Sequence, residues 1–104
     1  MLGLTMVLCI FLAATVVLVQ ASVAASRAAT AADLAALAAA DAARGLRDGE
    51  PCQIASQATA QQGAMIASCT VMGPRDHIVE VHTVVATPGA LPDARGRARA
   101  GPPP

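Results

Sequence analysis

SRAATAADLAALAAADAARGL, Ser26 to Leu46, is a run of almost pure helix formers that follows an uncharged apolar stretch without a break. Alanine has the best helix propensity and no side-chain entropy to lose. No Gly or Pro interrupts the chain between Gly3 and Gly45. The reading is therefore one long helix, running from the apolar N-terminus to about Arg44, with Gly45 as the natural residue just past its end and Gly49 beyond it. At 100° per residue, Thr15, Ser22, Ser26, Asp33 and Arg44 fall in one narrow polar stripe. Between Ser26 and Arg44 the only large apolar residues are Leu34 and Leu37. With Asp33, Ala35 and Ala38 they form the expected helix-packing interface, docking on the rest of the chain or on a neighbouring subunit. Alanine elsewhere lets another helix approach closely, as small residues do in membrane helix pairs.

Upstream, Met1 to Ser26 carries no charged side chain. As a helix, Leu2 to Ala25 would reach roughly 36 Å, enough to cross a hydrocarbon core of about 30 Å. That exceeds a signal peptide's usual apolar region, and no basic segment precedes it, so residues 1–25 read as a transmembrane anchor. Val23-Ala24-Ala25 also has the small residues of a cleavage site. The alternative is thus a secreted small effector or binding protein released after Ala25. The positive-inside tendency would place Arg27, Arg44 and Arg47 in the cytoplasm, whereas the cysteine usage favours an external module. The reading takes the C-terminal side as extracytoplasmic.

The chain has 104 residues, is 55% hydrophobic and has a single Phe, with no Trp or Tyr. That Phe is Phe11, inside the apolar run, so any folded module must pack Ala, Val, Ile, Leu and Met. Such small cores are marginal without a staple or a partner. Formal charge is zero, and all seven basic residues are Arg. Cys9 reads as a buried, inert thiol within the span. Cys52 and Cys69 are the only pair outside it and suggest a disulfide in an oxidising compartment. The alternative is two reduced thiols in a cytosolic domain.

Residues 26–47 form the helical extension, and 48–88 a small module. In RDGEPCQIASQATAQQGA, Pro51 suits a helix's first turn, Asp48 or Glu50 its N-terminal charge preference and Gly63 its end. AMIASCTVM alternates as a strand with Met65, Ala67, Cys69 and Val71 on one face. Gly73 to Asp76 is a turn. HIVEVHTVVA is a second strand, with Val79, Val81 and Val85 on one face and Ile78, Glu80, His82 and Val84 on the other. The class is α+β: a long N-terminal helix, a short helix and a β-hairpin. Residues 89–104 read as a flexible Pro/Arg/Gly tail, although the alternation of Arg95, Arg97 and Arg99 also fits a short edge strand.

No catalytic constellation emerges. Glu80 and His82 share a face, but two ligands fall short of a metal site. Ser56, Ser68 and Thr70 lack His–acid partners. There is no phosphate-binding glycine loop and no aromatic–basic interleaving for nucleic acid. The expectation is a non-enzyme without cofactor, small-molecule substrate or nucleic-acid partner.

The order of parts carries a resemblance. A membrane span running into AADLAALAAA, a Cys-bearing helix, GAMIASC, a Val-rich strand and an Arg-Ala-Gly-Pro tail together resemble the actinobacterial TadE/TadG-like proteins of Flp-type (tight-adherence) pilus assembly and secretion. The resemblance covers nearly the whole chain. Its most specific pieces are Ala31 to Ala40 with Asp33, and the Cys52/Cys69 spacing. It implies a pseudopilin-like membrane protein with an external module. Its implied partners are membrane lipid, other TadE/TadG-like or pilin subunits and secretion-system membrane proteins. Prepilins of that system are cut after a Gly, with Glu at the fifth mature position; here Leu8 stands at that spacing from Gly3.

Overall fold

The computed structural model describes residues 1–73, 77–87, 89 and 91–101. The molecule is α+β. A single helix α1 (Leu2–Ala43) is followed by α2 (Pro51–Gln61) and three strands, β1 (Met65–Met72), β2 (Ile78–Val85) and β3 (Ala94–Ala100). The strands form one antiparallel sheet in the order β1-β2-β3. The molecule measures 68 × 25 × 17 Å. It is long because α1 contributes 42 residues, about 63 Å at 1.5 Å per residue, while only the second half of that helix is covered. Residues 1–20 are exposed on every face.

The helix ends are set by local chemistry. Gly45 has φ +79°, the left-handed conformation that closes a helix. Its N–H donates to the Ala42 carbonyl at 3.2 Å, and the Leu46 N–H to the Asp41 carbonyl at 2.9 Å. These are the two bonds of the Schellman motif. Helix α2 opens with Pro51 after Glu50, whose carboxylate accepts from the Gln53 N–H at 2.9 Å. It closes through Gly63, whose N–H donates to Ala60, and the Ala64 N–H, which donates to Thr59.

The core lies between the second half of α1, α2 and one face of the sheet. Its helix side is a stripe of alanines: Ala24, Ala28, Ala31, Ala32, Ala35, Ala36, Ala39 and Ala40, all buried. Facing it are Val79, Val81, Thr83 and Val85 of β2 and Ala55 of α2. The alternation expected for β2 is therefore present, with Thr83 completing the inward row. Thr83 donates its hydroxyl to the Ala28 carbonyl at 2.6 Å. Gly96 of β3 lies against the same turn, and a Cβ there would overlap the Ala28 carbonyl oxygen and carbon. Alanine on the helix and glycine on the strand let two backbones pack almost directly on each other, which gains dispersion contact despite the small side chains.

Two sequence expectations need correction. Met65 and Ala67 are exposed, and Ile66 packs inward with Cys69 and Val71. The pairing steps from Ile66↔Thr83 to Ser68↔His82, so Ala67 is the extra residue of a β-bulge and reverses the alternation of the residues before it. The tail from residue 89 contains β3, which turns the expected hairpin into a three-stranded sheet. Its inward residues Ala94, Gly96, Ala98 and Ala100 are small enough to sit under α1. Cys9 lies on the uncovered first half of α1, within the segment read as the membrane span, and is not covered by any described residue of this chain. The expected turn lies outside the described residues from Pro74 to Asp76, as do Pro88, Ala90 and the last three prolines.

Candidate functional site

The residues expected to form one helix-packing interface divide between two faces of α1. Ala35 is fully buried against the module. Asp33 is exposed, and Leu34 and Leu37 are 44% and 59% exposed on the side away from the sheet. Ala38 sits at the border, half-buried. The leucines therefore do not dock on this chain's own module, because the alanine stripe fills that role and allows closer approach. The polar stripe of Thr15, Ser22, Ser26, Asp33 and Arg44 is exposed throughout. Thr15 donates to the Phe11 carbonyl of its own helix at 2.8 Å, which satisfies the hydroxyl within the apolar segment.

Cys52 and Cys69 form a disulfide, with Cα atoms 5.9 Å apart and a separation of 17 positions in sequence. Cys52 lies in the first turn of α2 and Cys69 on the inward face of β1. The bond thus fastens the short helix to the edge strand that it covers. Among the described residues the largest fully buried side chains are Val79, Val81, Thr59 and Thr83. A core this light gains most from such a staple. Closing a loop of this length stabilises by about 3 kcal/mol in the chain-entropy account.

The outer face of the sheet carries the molecule's ion-pair cluster. Glu80 on β2 accepts from Arg99 on β3, with Nη2 at 2.8 Å and Nε at 3.2 Å from Oε2. Its Oε1 lies 2.8 Å from His82 Nε2 and 3.3 Å from Arg97 Nε. The Glu80 side chain is 13% exposed beneath these groups. The hydrogen bond from His82, then that from Arg99 and the charges of Arg97 and Arg99, lower its pKa from 4.5 to about 2. Sequence placed Glu80 and His82 together. It missed Arg97 and Arg99, although the alternation of Arg95, Arg97 and Arg99 was the available signal. Arg97 and Arg99, both reaching the one carboxylate on β2, tie β3 to β2. Among the described residues, no group of three or more His, Cys, Asp or Glu side chains is placed to hold a metal ion.

At the other end of the module, where α1 emerges, a cavity of about 230 Å³ opens between helix and sheet. It is lined by Val19, Gln20, Val23, Ala24 and Arg27 of α1 and by Val85 and Ala86 at the end of β2.

The chain matches no protein-family model, no curated protein and no solved structure.

Proposed function

We propose that this chain is a non-catalytic, membrane-anchored, TadE-like (pseudopilin-like) component of a Flp-type pilus assembly or secretion system, acting through helix packing and subunit assembly. The observation that carries the reading is the division of one unbroken helix. Its first half is apolar, long enough to cross a membrane and wholly uncovered, while its second half is roofed by a small disulfide-bonded module. A rod with a head at one end can be held in lipid while presenting its head and the outer face of α1 to neighbours. The exposed Leu34 and Leu37, flanked by Asp33, are the residues for that contact, since the alanines beside them are already occupied. The disulfide favours an extracytoplasmic module. Helix continuity through Val23, Ala24 and Ala25, with Ala24 buried near Val85, favours retention of the anchor over cleavage there.

The test is performed on intact cells. A thiol reagent that cannot cross the membrane should label Cys52 and Cys69 only after reduction. The chain should resist carbonate extraction with residues 1–25 present. A photocrosslinker at Leu37 should join it to a pilin or secretion-system subunit, identified by mass. Labelling of both cysteines only after the cells are opened, without reductant, would refute the proposal.

A second reading, secretion after Ala25, draws on a specific feature. Of the buried alanines only Ala24 precedes that point, so a released chain would retain nearly the whole core. Recovery from the medium of a chain starting at Ser26 would establish it in place of the first.

A further inference from the structure

The cavity at the foot of the module has the polarity of an amphiphile. Val19 and Val23 line it on the side of the apolar helix, Val85 and Ala86 close it from the sheet, and Arg27 stands at its far end. Arg27 is the first charged side chain of the sequence. Its stem runs beside Gly63, where an added Cβ would lie 3.9 Å from Cδ, so the α2–β1 turn flanks it. No ion pair joins Arg27 to another described residue. Gln20 lies on the same side of the helix, two turns nearer the apolar end, about 10 Å along the axis.

From this arrangement the geometry points to a binding site for one anionic phospholipid. The phosphate is held by the Arg27 guanidinium, the glycerol ester region lies beside the Gln20 amide, and an acyl chain follows Val19 and Val23. The site rests on the anchor reading, because only an inserted helix brings Arg27 to the headgroup level. The assignment to lipid rather than to a free phosphate follows from the lining. Apart from Gln20 and Arg27 the walls are Val and Ala, and they continue directly into the exposed apolar surface of α1. Guanidinium suits a phosphate through paired, charge-assisted hydrogen bonds. A lipid seated there would fill the gap between rod and head and fix the depth at which the module stands above the bilayer.

The full-length protein, purified in mild detergent, is mixed with phosphatidylglycerol and phosphatidylcholine in equal amounts and examined by native mass spectrometry. One phosphatidylglycerol per chain should be retained in preference to phosphatidylcholine. Arg27→Gln should weaken retention at least tenfold. Ala86→Trp fills the cavity from its exposed rim and should abolish retention with Arg27 intact. Leu18→Trp, on the opposite side of the helix, should leave it unchanged. Equal retention by wild type, R27Q and A86W would overturn the site, as would displacement of the lipid by glycerol 3-phosphate at equal concentration. The same spectra give the intact mass. Residues 1–25 present without a retained lipid means that the site fails while the anchor stands. Residues 1–25 missing means that the anchor reading fails and takes the site with it.

Discussion

The two halves of α1 are one helix by backbone and two different objects by side chain. Residues 2–23 carry Leu, Val, Ile, Met and Phe on all sides, and none is buried within the molecule. Residues 24–43 are mostly alanine and bury eight of them along one stripe. Size decides the partner. Large branched side chains give a helix area to offer lipid but hold any neighbour's backbone at a distance. Alanine offers little area and lets a strand approach until Gly96 lies against the Ala28 carbonyl. The second half thus gains its stability from proximity, and its side chains matter most for what they leave out.

The comparison breaks most sharply where proximity is greatest. Gly96→Val should have the largest effect, because its Cβ overlaps the Ala28 carbonyl and one backbone must move. Overpacking of this kind costs on the order of 3 kcal/mol, read as a lowered denaturation midpoint of the full-length protein in micelles. A midpoint equal to wild type would mean that strand and helix are not in contact there. Next, Cys52→Ala with Cys69→Ala should lower stability by about 3 kcal/mol. The loss should fall on the module alone, with the helical signal of the first half of α1 persisting through the transition.

Much of the fold was legible before the structure, and the exceptions share a cause. Gly45, Pro51 and Gly63 punctuate the helices as their chemistry dictates, and the Val79–Val81–Val85 row marks the inward face of β2. Of the two partners expected for Leu34 and Leu37, this chain's own module or a neighbour, the module is taken by alanine, because this core is built around small residues. The same property concealed β3. Its inward row of Ala94, Gly96, Ala98 and Ala100 has no bulk for a periodicity to register, and the Arg residues between them resemble a solvated tail. The bulge at Ala67 left no mark at all, since MIASCTVM alternates well enough without it. Of the candidate site, the cysteine pairing and the Glu80–His82 juxtaposition could be read, whereas the arginines completing that cluster depended on a strand the pattern barely announced.

Smaller effects sharpen the contrast. Thr83→Val removes the hydroxyl that donates to Ala28 while keeping a similar shape, and should cost about 1 kcal/mol. The inverse test lies on the outer face of the same helix. Leu37→Ala deletes a large apolar side chain that is 59% exposed, and should shift stability of the isolated protein by less than about 0.5 kcal/mol. In ordinary cores the ranking is reversed, with the leucine truncation by far the more damaging. A Leu37→Ala loss exceeding that of Thr83→Val would show the outward face to be covered in the isolated protein.

The smallest effect concerns the outer sheet face, where β3 is held by charge rather than by proximity. The carboxyl of Glu80 titrates at about 2 in the folded protein against an ordinary value of 4.5, so the folded state favours its ionised form. Its contribution is fully present above the unfolded value and is lost as pH falls from about 5 towards 2, where the unfolded chain binds the proton first. Because His82, Arg97 and Arg99 are all substantially exposed, solvent and salt screen the cluster. The slope should be shallow and flatter still in high salt. Glu80→Gln should abolish it without altering the pH dependence from the other carboxylates. If the variant and the wild type lose stability in parallel between pH 5 and 2, the cluster does not hold β3, and the close packing of Gly96 on Ala28 keeps that strand in place on its own.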